Sequence, residues 1–336
     1  MATIKEIAER AGVSTTTVSN VIHGKTKKVS PANVENIQRL IKEMGYVQKM
    51  GLRVLNHEKS QLIAVVVNSH KDYEEAILSD PFYGKILGLI EEQLRALNYY
   101  MLFYAGKDID DIFQMVMGWN VDGVIAVTFT RTDCEKLHAM IHKPVVAIDA
   151  YGDYKGQKVV PNVGLDDRGG GYVMTKHLIR QEYENIFVCA SRDHGVDHQR
   201  WLGACQAKDE DTRAKVKLQF VTLGQSKESR EQQYSQLARQ IPFKKKTVAF
   251  FLSDLFALEA ISFFADCGIQ IPVDLGVAGY DDIMYANFAV PRLTTVRQDM
   301  RQKAERAVEL LMLLLQGKEV EKDTSFAVSL IVRKSV

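Results

Sequence analysis

Six hydrogen-bonding side chains crowd seven positions near the start of this chain: Ser14, Thr15, Thr16, Thr17, Ser19 and Asn20. Short hydroxyls and an amide with no base beside them are poor nucleophiles, but they suit base edges and phosphates of duplex DNA. A second polar set lies downstream, each member just past an apolar run. Asp149 follows VVAI, Ser191 follows IFVCA, Ser253 and Asp254 follow VAFFL, and Asp281 and Asp282 follow GVAGY. Such carboxylates and hydroxyls suit a ligand rich in hydroxyls, with Phe82 and Tyr83, or Trp201, as its apolar face.

A reacting group is missing from the same inventory. The chain has no G-x-x-x-x-G-K-[ST] loop and no G-x-S-x-G elbow. Gly169–Gly171 lacks G-x-G-x-x-G spacing, and no strand is read immediately before it. Asp193, His194, Asp197 and His198 have the helical spacing of metal ligands, but the segment reads as a solvated turn, so no metal or cofactor is expected. Cys134, Cys189, Cys205 and Cys267 are too scattered for a zinc site or disulfide framework and read as core thiols.

The elements that position these groups are legible. Thr3 and Glu6 form a capping box opening a helix whose apolar face is Ile4, Ile7, Ala8 and Ala11, and Gly12 ends it. Ser14 caps the next helix, with Val18, Val21 and Ile22 as its buried stripe. Ser30 caps a third, with Pro31 in its first turn and Gly45 as its stop. An ordinary helical hairpin with a polar surface fits this geometry as well as a DNA-reading one does. From residue 62, apolar runs alternate with helical stretches, which predicts parallel strands with crossover helices. The strands are Leu62–Val67, Tyr100–Ala105, Gly123–Val127 and Val145–Asp149, then Ile186–Ala190, Leu218–Val221, Val248–Leu252 and Gly276–Tyr280. The helices between include 82–98, 167–180, 199–209 and 254–267, with a last helix 300–316 and a last strand 326–332. Ligands of such sheets sit beyond the carboxyl ends of the strands, where the second polar set falls.

Charge divides at the same place. Residues 1–60 hold ten Lys and Arg against five Asp and Glu, while the whole chain is near balance at +1. A basic head on a slightly acidic body fits a DNA-binding module on a soluble domain. No apolar run reaches membrane-span length and no signal-peptide pattern opens the chain, so a cytoplasmic protein is expected.

IKEIAERAGVSTTTVSNVIHG followed by VSPANVENIQRLIKEMGY resembles the N-terminus of the LacI–GalR family of bacterial transcription regulators. The resemblance continues through DPFYGKILGLIEE, VGLDDRGGGYVMTKHLI, RWLGACQA, FLSDLFALEAI and GYDDIMYANFAVPRLTTVRQDM. It implies an α/β chain with a helix-turn-helix head at 1–46, a hinge at 47–60 and a periplasmic-binding-protein-type body at 61–336. Within the body it implies one lobe of about 61–161 and 291–325 and a second of about 162–290 and 326–336. It implies operator contacts from Thr3, Ser14, Thr15, Thr16, Thr17, Ser19, Asn20, His23, Ser30, Tyr46, Arg53 and Leu55, with Leu55 as a minor-groove wedge. It places Arg200 and Asp281 on effector-binding positions, alongside Phe82, Tyr83, Asp149, Ser191, Trp201, Ser253 and Asp254.

The chain also departs from the family pattern. Asn20 replaces the usual arginine, Ser253 the usual asparagine and Gln48 the usual proline, while Gly51 and Leu52 sit in the hinge. A repressor is expected, with duplex DNA, a small effector and a second copy of the chain as partners, and no membrane. A tetramer or a corepressor protein are further options. A sugar is the favoured effector and a nucleobase the runner-up. A closed-cleft sugar enzyme or a transport binding protein are the alternatives from other classes.

Overall fold

The computed structural model describes residues 2–46, 59–69, 77–106, 108–153, 156–211, 216–240 and 246–336. The chain divides into two compact units, Met1–Ser60 and Gln61–Val336. The first is the head, made of α1 (Ile4–Ala11), α2 (Thr15–Ile22) and α3 (Pro31–Glu43). Ile7, Ala8, Val18, Val21, Ile37 and Leu40 form its buried core. Gly12 takes φ 67°, a left-handed conformation that glycine adopts without strain, and so turns the chain from α1 into α2.

The body contains two six-stranded sheets. The first is built from β1 (Leu62–Asn68), β2 (Tyr100–Gly106), β3 (Gly123–Val127), β4 (Val145–Ile148), β5 (Asn162–Leu165) and β11 (Asp323–Phe326), in the order β11-β5-β4-β3-β1-β2. The second is built from β6 (Asn185–Ala190), β7 (Lys217–Thr222), β8 (Thr247–Phe251), β9 (Gly276–Asp281), β10 (Thr294–Arg297) and β12 (Ser329–Ile331), in the order β12-β10-β9-β8-β6-β7. All pairings are parallel except β10 with β12. The central strands β3, β4, β6, β8 and β9 are buried throughout, which explains their unbroken apolar runs.

Helices cover both faces of each sheet. The first lobe carries α4 (Pro81–Ala96), α5 (Ile109–Gly118), α6 (Arg131–Ile141) and α11 (Met300–Leu315). The second carries α7 (Asp167–Arg180), α8 (Gly195–Asp209), α9 (Lys227–Arg239) and α10 (Asp254–Asp266). Both lobes repeat one strand order, 2-1-3-4-5 in local numbering, so each has its switch point between its first and third strands.

Sheet membership corrects the expected lobe boundaries of 161/162 and 290/291. Asn162–Leu165 still pairs in the first sheet, and Thr294–Arg297 still pairs in the second. The crossings therefore fall between β5 and α7 and between β10 and α11. The single strand expected at 326–332 is two strands in different sheets, which makes a third crossing. Since β5 runs almost directly into α7, a strand does precede Gly169–Gly171. The glycines there serve packing. A Cβ at Gly171 would lie 1.8 Å from the Arg200 carbonyl oxygen, and one at Gly203 1.8 Å from that of Arg168, so α7 and α8 touch backbone to backbone. Cys134 and Cys189 are core thiols as expected, Cys205 is half-buried, and Cys267 is exposed at the end of α10 rather than in the core. Among the described residues, no helix is long and apolar enough to cross a membrane.

Candidate DNA-facing helix and effector cleft

The caps of the head form as their residues dictate. The Thr3 hydroxyl accepts from the Glu6 amide at 3.2 Å, and the Glu6 carboxylate accepts from the Thr3 amide at 2.8 Å. Ser14 Oγ accepts from the Thr17 amide at 3.1 Å and shares a 2.9 Å hydrogen bond with Thr17 Oγ1. Ser30 Oγ accepts from the Asn33 amide at 3.4 Å. A cap of this type is worth about 1 kcal/mol. With Ser14 and Thr17 bonded to each other, Thr15 and Thr16 stand exposed on α2, and Ser19 and Asn20 half-exposed. His23 and Tyr46 are half-buried, and burial raises the Tyr46 phenol above its usual range. Lys25, Lys27 and Lys28 are exposed just beyond α2, a cationic run absent from the expected contact set although its charge was visible. Arg53 and Leu55, with Gln48, Gly51 and Leu52, lie outside the described residues.

In the body, the strand ends converge. An inner cavity of about 90 Å³ is lined by Phe82 and Tyr83 from α4, Thr128 and Asp149 beyond β3 and β4, and Ser191 and Arg192 beyond β6. Arg200 from α8, Ser253 and Phe256 beyond β8, Asp281 at the end of β9 and Gln298 from a crossing complete it. A second cavity of about 730 Å³ shares Asp149 and Val196 with the first and adds Tyr151, Asn162, Asp166, His194 and Gln199, among others. Thr128, Asp149 and Asp281 have φ of 60°, 53° and 118°, so the chain leaves these strands through conformations side chains rarely adopt. Such strain collects where function over-determines the backbone.

Arg200 is the electrostatic centre of the second lobe's wall. Its side chain is 8% exposed; Nε donates to Asp167 at 2.8 Å, Nη1 donates to the Leu252 carbonyl at 2.8 Å, and Asp197 lies 3.6 Å away. The guanidinium stacks 3.7 Å from the centre of the Tyr280 ring. Burial pushes the Asp167 and Asp197 carboxyls up, and Arg200 pulls both back. Asp281 is raised to about 7, first by burial and then by Asp80, against the opposing pull of Arg200, Gln298 and Lys303. Gln298 Nε2 donates to Asp281 Oδ1.

Several expected contacts take other roles. Trp201 does not line either cavity; α8 turns it away to pack edge-on against Phe220, 5.3 Å between ring centres, in the second lobe's core. Asp254 is fully buried and lines neither cavity. Its oxygens accept from Thr295 Oγ1 at 2.6 Å and the Ile283 amide at 3.0 Å, so it braces the loop carrying Asp281. Ser253, not Asp254, caps α10. Tyr83 lines the cavity only 5% exposed, its hydroxyl 3.4 Å from Thr128 Oγ1. Asp166 caps α7, and Asp282 binds Arg297 at 2.6 Å and Arg333 at 2.5 Å. Asp197 is buried, so the segment with Asp193 and His194 is not simply a solvated turn; no metal-holding group occurs among the described residues. Thr128, Arg192, Phe256, Gln298 and Lys303 were missed. Arg192 directly follows Ser191 and Gln298 sits inside a quoted motif, but nothing local marked Lys303.

A polar second helix on a capped three-helix head, and strand ends closing on a polar cavity between two like lobes, fit a ligand-binding DNA regulator. Residues 3–49 match the model for bacterial regulatory proteins of the lacI family, and residues 175–336 match a periplasmic binding protein-like domain. The chain is 30% identical over 348 residues to the HTH-type transcriptional repressor PurR of Mannheimia succiniciproducens, covering 100% of this chain and 99% of the relative. It is 30% identical over 312 residues to the HTH-type transcriptional regulator DegA of Bacillus subtilis, covering 90% and 89%. A transcriptional regulator CelR–cellobiose complex superposes with a TM-score of 0.70 at 26% identity, covering both chains fully. The lac repressor dimer bound to operator and the anti-inducer ONPF superposes at 0.82 with 22% identity over 99% and 98%, a likeness of fold. The chain belongs to the LacI family: it is a DNA-binding transcriptional regulator with an effector-binding domain, and not an enzyme.

Proposed function

We propose that this regulator is a cytoplasmic repressor whose operator affinity is set by a sugar or sugar derivative held in the cleft. The observation that carries the ligand class is Asp149. It is 7% exposed, lines both cavities, and its Oδ1 is buried with no hydrogen-bond partner among the described residues. An orphaned buried carboxylate oxygen costs stability unless a donor meets it, and a ligand hydroxyl is such a donor. Ser191, Ser253 and Asp281 face Asp149 from the second lobe and add further partners for hydroxyls. The likeness to a cellobiose-bound regulator supports this class. Phe82 and Phe256 both line the inner cavity, and that pair favours a nucleobase as the second reading.

On this proposal α2 enters the major groove. Thr15, Thr16, Ser19 and Asn20 read bases, while Thr3, Ser14, Thr17, His23, Ser30 and Tyr46 serve the backbone and register. Residues 47–60 are the hinge, with Arg53 and Leu55 at the minor groove. Two copies bind a pseudo-palindrome. Tyr100 and Trp119 on the first lobe, and Tyr285, Phe288 and Val290 on the second, are at least half exposed and offer apolar surface for that pairing. Ligand biases the relative arrangement of the lobes, and operator affinity follows that equilibrium. The test is a melting screen of the full chain against cellobiose, ribose, hypoxanthine and adenine, with operator footprinting for any that bind. Saccharides are expected to raise the melting temperature of the body. A shift with purines alone replaces the first reading by the second, and no shift across a broad panel of both classes removes both.

A further inference from the structure

Lys303 lies in the first turn of α11 and is fully buried. An ammonium out of water costs several kcal/mol unless strongly paired. Its Nζ donates to Asp149 Oδ2 at 2.5 Å and to Gln298 Oε1 at 3.1 Å, and lies 5.6 Å from the Phe82 ring centre. Gln298 in turn donates to Asp281. A continuous polar path therefore runs Asp149–Lys303–Gln298–Asp281, from the end of β4 in the first lobe to the end of β9 in the second. Both terminal carboxylates line the inner cavity.

A buried pair of this kind is a costly way to gain stability, since apolar side chains of similar volume do as well or better. Nor does the pair satisfy Asp149, whose Oδ1 keeps no partner among the described residues. We infer that Lys303 is a positioning residue for the effector. It takes Asp149 Oδ2, leaves Oδ1 as the acceptor for a ligand donor, and ties that acceptor through Gln298 to Asp281 across the cleft. The ligand part of this inference rests on the effector reading above; the tie between the carboxylates does not.

The groups around this path are Asp80 ahead of α4, Asp167 on α7, Arg192 beyond β6, Asp197 and Arg200 on α8 and Asp281 on β9. Without Lys303, four carboxylates and Asp149 face only two arginines. Melting of the full chain at about pH 5 and about pH 8 reads this directly. Lys303→Met is expected to lower the melting temperature of the body more at the higher pH, and Asp149→Asn added to it is expected to recover most of that difference. For any member of the panel that the wild type binds, Lys303→Met and Asp149→Asn each weaken binding about tenfold or more, and the double variant is no weaker than the worse single. A loss of melting temperature that is equal at both pH values and unrelieved by Asp149→Asn overturns the tie. Wild-type ligand affinity in Lys303→Met overturns the positioning role. If nothing in the panel binds the wild type, the effector reading fails, and the melting comparison still decides the role of Lys303.

Discussion

Helix α2 of the head and the cleft are both polar surfaces carried on apolar scaffolds, but they are assembled over very different distances along the chain. The side-chain caps of the head, Thr3 with Glu6, Ser14 with Thr17 and Ser30 with Asn33, each join residues three apart. In the cleft, Lys303 meets Asp149 across 154 positions, and Tyr280 meets Asp167 across 113. Local closure lets each exposed polar residue of α2 change singly at little cost to its neighbours. Long-range closure makes the cleft a unit, in which one side chain holds another in place and a substitution is felt as a buried charge left alone.

The largest test of this contrast is Arg200→Ala. It leaves Asp167 and Asp197 buried without their cation, and should cost the body about 3–5 kcal/mol in chemical unfolding. A cost under about 1 kcal/mol would mean that the cleft is no more interlocked than the head.

Next comes pH. Asp281 is raised to about 7, above its value of about 3.9 in the unfolded chain. The folded body then holds a proton that the unfolded chain releases, so this group's contribution falls as pH rises from about 4 to about 7. Asp281→Asn should flatten that slope in the melting temperature of the body. An unchanged slope would place the titration elsewhere.

Asn20→Arg should shift preference at one operator base pair from adenine towards guanine by about 1–3 kcal/mol, because asparagine pairs with the adenine edge and arginine with that of guanine. Operator selection with both proteins reads the shift, and the melting of the body should not move. The smallest effect is Ser14→Ala, which removes the α2 cap and should cost the head about 1 kcal/mol. A loss several times larger would show that the cap supports more than its own helix.

The same contrast explains which features were legible in the sequence. Helix Asp167–Arg180 and strand Gly123–Val127 form with the bounds their patterns predict, because caps and apolar runs are local signals. The rule that ligands sit beyond strand ends brought Asp149, Ser191, Ser253 and Asp281 to one cavity. It failed for Asp254, also past a strand end, because Thr295 and Ile283 had already engaged its carboxylate from another strand and loop. Trp201 was misplaced because adjacency to Arg200 says nothing about helix face: one step along α8 rotates the side chain from the cleft to the core. Lys303 was invisible because a lysine in a helix's first turn ordinarily faces water, and only the partner 154 positions away shows otherwise. The crossings were blurred since β5 and β11 are four-residue strands whose allegiance is set by pairing rather than composition.

The central claim is that ligand in the cleft governs the grip of the head on DNA. Operator affinity measured with and without a saturating ligand, chosen by its ability to raise the melting temperature of the body, tests it most directly. A coupling of about 1–3 kcal/mol is predicted, a change of roughly 5- to 150-fold in operator affinity, with the same factor appearing in ligand affinity when operator is present. A ligand that binds the cleft and leaves operator affinity unchanged would contradict the account.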